Sequence, residues 1–181
     1  YYIQFTLNDY EPERLEPRLP PLHDRIDTFK RIADRLSPKH VIWRFDPLII
    51  TNNVTEDVLI DRINEIADKL HGYTEKLVFS FADISSYNYA KKNIENNKII
   101  YKDWNEGNML SFSKKISAIG KSYNLSLATC GEKIDIESLG IKHNKCIEYE
   151  QKIDYNSLIE EAVDNTMVIK IKNEKDFEDL L

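Results

Sequence analysis

Residues 41–50, VIWRFDPLII, constrain the fold of this chain more than any other stretch. A continuous run of β-branched and aromatic side chains predicts a strand that is buried on both faces, as in parallel sheets. Arg44 and Asp46 interrupt this run, and because they are two residues apart they share one face of the strand. A buried charge costs free energy unless it is paired. The two charges therefore indicate either a structural ion pair or a polar site at the strand end.

Strands and helices alternate along the rest of the sequence. Short apolar runs predict four further strands, at residues 1–7, 77–82, 125–129 and 167–172. Apolar residues three and four apart predict helices at 22–36, 59–70 and 109–123, followed by helices at 155–163 and 174–181 and a helical turn at 135–139. Asn53 and Glu56 have the spacing of a capping box for the second helix.

This alternation predicts a parallel sheet with crossover helices, which fits an open doubly wound sheet or an arc of a (β/α) barrel. No glycine-rich phosphate loop follows a predicted strand, which argues against a nucleotide-binding open sheet. Polar residues gather at the carboxyl ends of the strands, where barrel enzymes have their sites. We therefore predict a single α/β domain over residues 1–181, folded as a partial or truncated (β/α) barrel with a mainly parallel sheet.

Five strands are too few to close the usual eight-stranded barrel. The sequence starts inside a strand-like run and stops in an amphipathic stretch, so we expect a fragment of a longer protein.

The composition argues against several classes of function. A net charge of −6 makes bulk binding to nucleic acid or anionic lipid unfavourable. No apolar run approaches the roughly 20 residues of a membrane span, and no signal peptide opens the sequence. Two cysteines are too few for a disulfide framework. We expect a cytoplasmic protein whose partner is a small-molecule ligand.

The first group of candidate site residues is Arg44, Asp46, Asp83 and Gln4. The Arg44 guanidinium can bind a carboxylate or phosphate that Asp46 helps to orient. Asp83 follows the strand at 77–82 and can act as an acid, a base or a ligand, and Gln4 can line a pocket. The alternative is a non-catalytic binding or scaffold domain in which Arg44 and Asp46 form a structural pair.

The second group is Cys130, Glu132, His143 and Cys146, all residue types that can ligate a soft or borderline metal such as zinc. Their spacing matches no established zinc motif. The alternative is a small buried thiol, a capping glutamate and a solvated histidine.

Three strings give this chain a resemblance to a known family: YYIQFTLNDY with EPRLPPLHDRIDTFKRIADRL, then VIWRFDPLII, then LATCGEKIDIESLGIKHNKCIE. Together they resemble an uncharacterised bacterial domain-of-unknown-function family, whose members are similar to radical S-adenosylmethionine proteins of the spore photoproduct lyase type. The resemblance spans about residues 1–148. It implies a barrel-like fold within a longer protein that holds an iron–sulfur cluster with S-adenosylmethionine, or another metal.

Carried over residue by residue, the resemblance points to Arg44, Asp46, Cys130, Glu132, His143 and Cys146. The chain departs from the pattern because it lacks the clustered cysteines that an iron–sulfur cluster needs. The prediction is the barrel core of a radical-type or metal-dependent enzyme, with the polar strand ends lining a substrate or cofactor pocket.

Overall fold

The computed structural model describes residues 2–16, 18–85, 91–92, 94, 98–131, 134–144 and 169–171. In chain order its elements are β1 (Ile3–Thr6), α1 (Leu22–Leu36), β2 (Val41–Leu48), β3 (Ile50–Thr51), α2 (Glu56–Lys69), β4 (Lys76–Phe81), β5 (Tyr101–Lys102), α3 (Glu106–Ser122), β6 (Ser126–Cys130), β7 (Ile141–Asn144) and β8 (Ile169–Ile171). Short 3-10 turns at Pro38–His40 and Glu137–Leu139 precede β2 and β7. No helix within these ranges is long and apolar enough to cross a membrane.

Six of the strands form one sheet in the order β7-β6-β4-β2-β1-β8, and every neighbouring pair in it is parallel. The five strands from β1 to β7 follow one another across the sheet in chain order, and β8 lies on the other side of β1. The described strands do not close into a barrel. The antiparallel strands β3 and β5 form a separate small sheet. The predicted α/β class with a mainly parallel sheet is confirmed.

The helices α1, α2 and α3 pack against the same face of the large sheet. One apolar cluster contains alternate residues of the strands together with the apolar faces of α1, α2 and α3. Its fully buried members include Trp43, Phe79, Phe29, Ile63 and Phe112. Because strand side chains alternate between the two faces, the residues between these positions lie on the face away from the helices.

The sheet face away from the helices carries most of the polar residues of the strands. Ile42, Val78 and Ala128 form a small apolar cluster there. On β2 the same alternation places Arg44 and Asp46 on this face, the latter near the carboxyl end. Arg44 and Asp46 therefore follow the strand periodicity of residues 41–50, and the face of β2 that lies under the helices is apolar.

The N-terminus of α2 differs from the one that the sequence predicts. The capping box predicted at Asn53 is wrong, because the amides of Asn53 and Val54 bond to Thr51 Oγ1 in a turn (3.2 and 3.0 Å). Thr55 is the N-cap of α2 instead, and its side chain accepts a hydrogen bond from the Val58 amide (3.3 Å).

Two strand predictions also need correction. The predicted strand at 41–50 ends at Leu48, because the chain then leaves the large sheet and β3 pairs with β5. Residues 141–144, where no strand was predicted, form β7, which pairs with β6. The predicted helices at 155–163 and 174–181 lie outside the described residues.

Replacing Gly120 by alanine should destabilise the fold although alanine favours helix. An added Cβ would lie 2.8 Å from Leu127 Cδ1 and 2.9 Å from its Cγ. We expect a loss of about 1–2 kcal/mol, since the cost of overpacking exceeds the gain in helix propensity. Urea unfolding measures this loss. The exposed Ser111→Ala change in the same helix is the control, expected to stay within about 0.5 kcal/mol of the parent, and a stabilised Gly120→Ala protein would contradict the packing.

Candidate functional site

Arg44 is buried on the sheet face away from the helices, with 8% of its side chain exposed. Its Nη1 donates to Gln4 Oε1 on β1 (2.9 Å), and its Nη2 pairs with the Asp46 carboxylate. Its Nε has no hydrogen-bond partner among the described residues. Two of the predicted site residues thus stabilise the guanidinium directly.

Asp46 is held from three directions. One carboxylate oxygen is bound by Arg44 and the other accepts a hydrogen bond from Ser80 Oγ on β4. Its backbone amide donates to Asn8 Oδ1 (2.9 Å), and its carbonyl accepts from Asn8 Nδ2 (3.2 Å). Asn8 is itself fixed by Arg25, whose Nη1 donates to the Asn8 carbonyl (3.0 Å). The carboxylate therefore has a fixed orientation, with 22% of the side chain open to solvent.

The chain after Asp46 is fixed by Tyr10. The Asp46–Pro47 peptide is cis. The Tyr10 hydroxyl donates to the Pro47 carbonyl (2.8 Å) and accepts from the Ile49 amide (2.9 Å). Burial raises the pKa of Tyr10 well above its usual value, so this hydroxyl stays neutral and keeps its donor.

A cavity of about 740 Å3, here called the strand-end cavity, lies at the carboxyl ends of β2, β4 and β6. Its lining includes Asp46, Ser80, Asp83 and Cys130 from these strand ends. The volume is within the range of small-molecule sites. Three of the predicted site residues, from three neighbouring strands, therefore line one hollow.

The other wall of the strand-end cavity is apolar and is built by the segment before α3. Trp104 and Phe81 pack edge to face with ring centroids 4.8 Å apart, and Trp104 Nε1 donates to the Leu48 carbonyl (2.9 Å). Asp103 accepts hydrogen bonds from the Ile84 amide (3.1 Å) and from Ser85. This wall thus combines fixed rings with a carboxylate that orders the loop after β4.

Sequence reasoning missed this wall. Asp103 and Trp104 fall in a stretch with no helix or strand periodicity, and β5 beside them is only two residues long. The available signal was Asn105, whose side chain caps α3 by accepting from the Asn108 amide (2.9 Å). If Asn105 is taken as an N-cap, the sequence predicts that Trp104 lies just before a helix, next to the strand ends.

The predicted metal ligands are not brought together by the described residues. Cys130 pairs in register with Asn144 and Thr129 with His143, so Cys130 and His143 lie on opposite faces of the sheet. Glu132 and Cys146 lie outside the described residues. Within the part of the chain that is described, no three His, Cys, Asp or Glu side chains are grouped to hold a metal ion. Metal binding stays a prediction.

The loop that carries Asn8 is tied to α2 by a partly buried ion pair. Arg62 Nη1 and Nη2 donate to the two Glu13 carboxylate oxygens (2.8 and 2.7 Å), and Nη1 also donates to the Asp9 carbonyl (2.7 Å). The Glu13 hydrogen bond raises the pKa of Arg62, which remains cationic. The bidentate geometry makes this pair stronger than an ordinary surface salt bridge.

Removing the Arg44 side chain tests the pair at the centre of the site. Arg44→Ala leaves the Asp46 charge without its cation, and we expect a loss of about 3 kcal/mol in the free energy of unfolding, the lower end for buried pairs because Asp46 is partly exposed. Denaturant unfolding measures this loss. The exposed Arg18→Ala change is the control, expected within about 0.5 kcal/mol of the parent. Equal stabilities for the two variants would show that the pair does not hold the fold.

Asp9, in the loop between β1 and α1, should make the stability of the fold depend on pH. Burial raises the pKa of Asp9 above 3.8, although Arg62 opposes the shift. The folded chain therefore binds the Asp9 proton at a higher pH than the unfolded chain does. Protonation of Asp9 thus adds to the free energy of unfolding as the pH falls, and this contribution is complete below pH 3.8.

Asp9→Asn abolishes this titration. The stability of the parent protein relative to Asp9→Asn should therefore rise between about pH 7 and about pH 4. Urea unfolding at several pH values measures the difference, with Asp34→Asn on the exposed side of α1 as the matched control. A difference that stays constant or falls as pH falls would contradict the raised pKa.

Comparison with known proteins places the chain in a family without giving it an activity. The model of one family, described as a domain of unknown function (DUF1848), matches residues 1–176. The match covers nearly the whole chain, which therefore belongs to that family. No curated protein and no solved structure matches it. The predicted membership in a domain-of-unknown-function family is confirmed, whereas the likeness to spore photoproduct lyase-type proteins and the bacterial origin stay predictions.

Proposed function

We propose that this DUF1848 chain is a small-molecule-binding domain of the (β/α)-barrel type, whose ligand occupies the strand-end cavity. The observation that carries the proposal is that Asp46, Ser80 and Cys130, from three neighbouring parallel strands, line one hollow of about 740 Å3. Barrel enzymes use this edge of the sheet for their substrates.

The strand order of the sheet supports an arc of a barrel rather than a doubly wound sheet. A doubly wound sheet reverses its strand order and carries helices on both faces. Here β1, β2, β4, β6 and β7 are neighbours in chain order, and α1, α2 and α3 lie on one face. The position of β8 beside β1 is also what a barrel requires, because there the last strand returns to the first.

Asp46 has the role of orienting the ligand in this proposal. Its two oxygens are already engaged by Arg44 and Ser80, so the carboxylate cannot turn, and its remaining lone pairs can accept hydrogen bonds from a ligand in the cavity. Catalysis of the radical-type or metal-dependent kind implied by the resemblance would use the same hollow as its substrate pocket. Ligand binding by the cavity is proposed independently of that chemistry.

A scaffold domain without a ligand is the second candidate. It is favoured by the mutual satisfaction of Arg44, Asp46 and Gln4, which needs no further partner for the Asp46 charge. The two candidates differ in what fills the strand-end cavity, since a scaffold leaves it to solvent.

Fragment binding distinguishes these candidates. We expect small aromatic fragments to shift the indole N–H resonance of Trp104 in NMR spectra, because the ring lines the cavity. The Trp43 signal, from a fully buried residue under the helices, should not move. Trp104→Phe assigns the two resonances.

Two neighbouring residues of α3 provide matched variants for this test. Met109 lines the cavity, whereas Leu110 is 38% exposed and is not among the residues that line it. Met109→Phe should fill part of the hollow and weaken fragment binding about tenfold, equivalent to 1.4 kcal/mol, and Leu110→Phe should leave binding unchanged. Fragments that shift no Trp104 signal, or that bind both variants like the parent, would exclude the cavity as the ligand site.

A further inference from the structure

We infer that Ser80 is a specificity-determining residue of the strand-end cavity, and that its hydroxyl oxygen accepts a hydrogen bond from the ligand. This inference rests on the proposed function, because it names the ligand class of the same cavity. The class is a small molecule with an N–H or O–H donor, such as an N–H heterocycle, a primary amide or an alcohol. The inference follows from the direction of the hydrogen bond between Ser80 and Asp46.

Ser80 lies on the central strand of the three whose ends line the cavity. β4 has β2 on one side and β6 on the other. Phe79 pairs in register with Thr129 of β6, so Ser80 lies beside Cys130, and on its other side it bonds to Asp46. The Ser80 side chain is partly buried and lines the cavity. A ligand in the hollow therefore meets this hydroxyl.

The hydrogen of the Ser80 hydroxyl is already used by Asp46. A serine hydroxyl has one hydrogen and two lone pairs, whereas a carboxylate only accepts hydrogen bonds. In the contact between Ser80 Oγ and Asp46 Oδ1, the hydrogen therefore comes from Ser80. Arg44 binds the other carboxylate oxygen, so Asp46 cannot turn away from Ser80. Ser80 thus offers the cavity its lone pairs, which accept a hydrogen bond.

Two further donors at the cavity are also bound within the protein. Among the described lining residues, Ser80 and Trp104 are the two whose side chains carry an O–H or N–H group, and Trp104 Nε1 donates to the Leu48 carbonyl (2.9 Å). The Ile84 amide donates to Asp103 (3.1 Å). A ligand without a donor would leave the Ser80 lone pairs unpaired, and a site of this kind discriminates against such a molecule.

Three neutral bicyclic molecules of nearly the same shape test the inference: indole, benzofuran and benzoxazole. Indole has an N–H donor, benzofuran has no donor, and benzoxazole has a ring nitrogen that accepts. Titration of the isotope-labelled 181-residue chain, followed at the side-chain N–H resonance of Trp104, measures their affinities. We expect indole to bind about fivefold more tightly than benzofuran, as one net hydrogen bond provides, and benzoxazole to bind no better than benzofuran.

Asp46→Asn should reverse this preference. Arg44 only donates hydrogen bonds, so the oxygen of the new amide must face Arg44 and its N–H group must face Ser80. Ser80 then accepts from the amide, and its own hydrogen is free to turn toward the cavity. Benzoxazole should become the tightest of the three probes, about fivefold tighter than benzofuran. A merely structural role of Ser80 would not reverse the order.

Ser80→Cys tests the acceptor while the Asp46 carboxylate stays in place. A thiol is only a weak acceptor, so the preference for indole over benzofuran should fall to about twofold or less. Ser126→Cys is the matched control, because Ser126 begins β6 at the opposite end of the sheet, where its hydroxyl donates to the Glu75 carbonyl (2.8 Å). It should keep the preference of the parent. Both variants are measured with a reductant present.

The outcomes separate this inference from the proposed function. Equal affinities of the three probes, an indole preference that survives Ser80→Cys, or a folded Asp46→Asn protein that still prefers indole would overturn the role of Ser80 while leaving the cavity as a binding site. If Asp46→Asn does not fold, Ser80→Cys and its control decide. Failure of all three probes and of the wider fragment set to shift Trp104 would overturn both.

Discussion

The site depends on the contacts that compensate for the burial of the Arg44 charge. A guanidinium on a sheet face needs partners that it can reach without leaving the strand, and Gln4 and Asp46 provide them from β1 and from β2 itself. Asp46 in turn bonds to Ser80 on the next strand, and Asn8 fixes its backbone from the loop after β1. One buried charge thus links three neighbouring strands at the same edge of the sheet.

The division of the sheet into two faces explains why the cavity lies where it does. The largely apolar face is covered by α1, α2 and α3, so most polar strand residues lie on the other face and at the strand ends. The chain entering α3 then brings Trp104 against Phe81 and completes the hollow. The cavity therefore results from ordinary strand alternation combined with one ordered segment between β5 and α3.

Sequence patterns predicted the features that depend on local periodicity. The strand at β2, the three helical stripes and the parallel sheet follow from the spacing of apolar residues, and the shared face of Arg44 and Asp46 follows from a period of two. The Trp104 wall depends on contacts between residues far apart in sequence, and β7 is too short, with exposed Lys142 and His143, to show a strand pattern. The cap at Thr55 was missed because Asn53 offers a competing capping signal.

The central claim is that the ends of neighbouring strands surround one ligand-binding hollow, and the half-buried Cys130 allows a direct measurement of it. In a Cys146→Ser background, alkylation of Cys130 with a bulky thiol reagent should abolish fragment binding at Trp104, because both residues line the hollow. A protein with both cysteines replaced by serine, treated identically, should still bind. Unchanged fragment binding after complete alkylation of Cys130 would contradict the account.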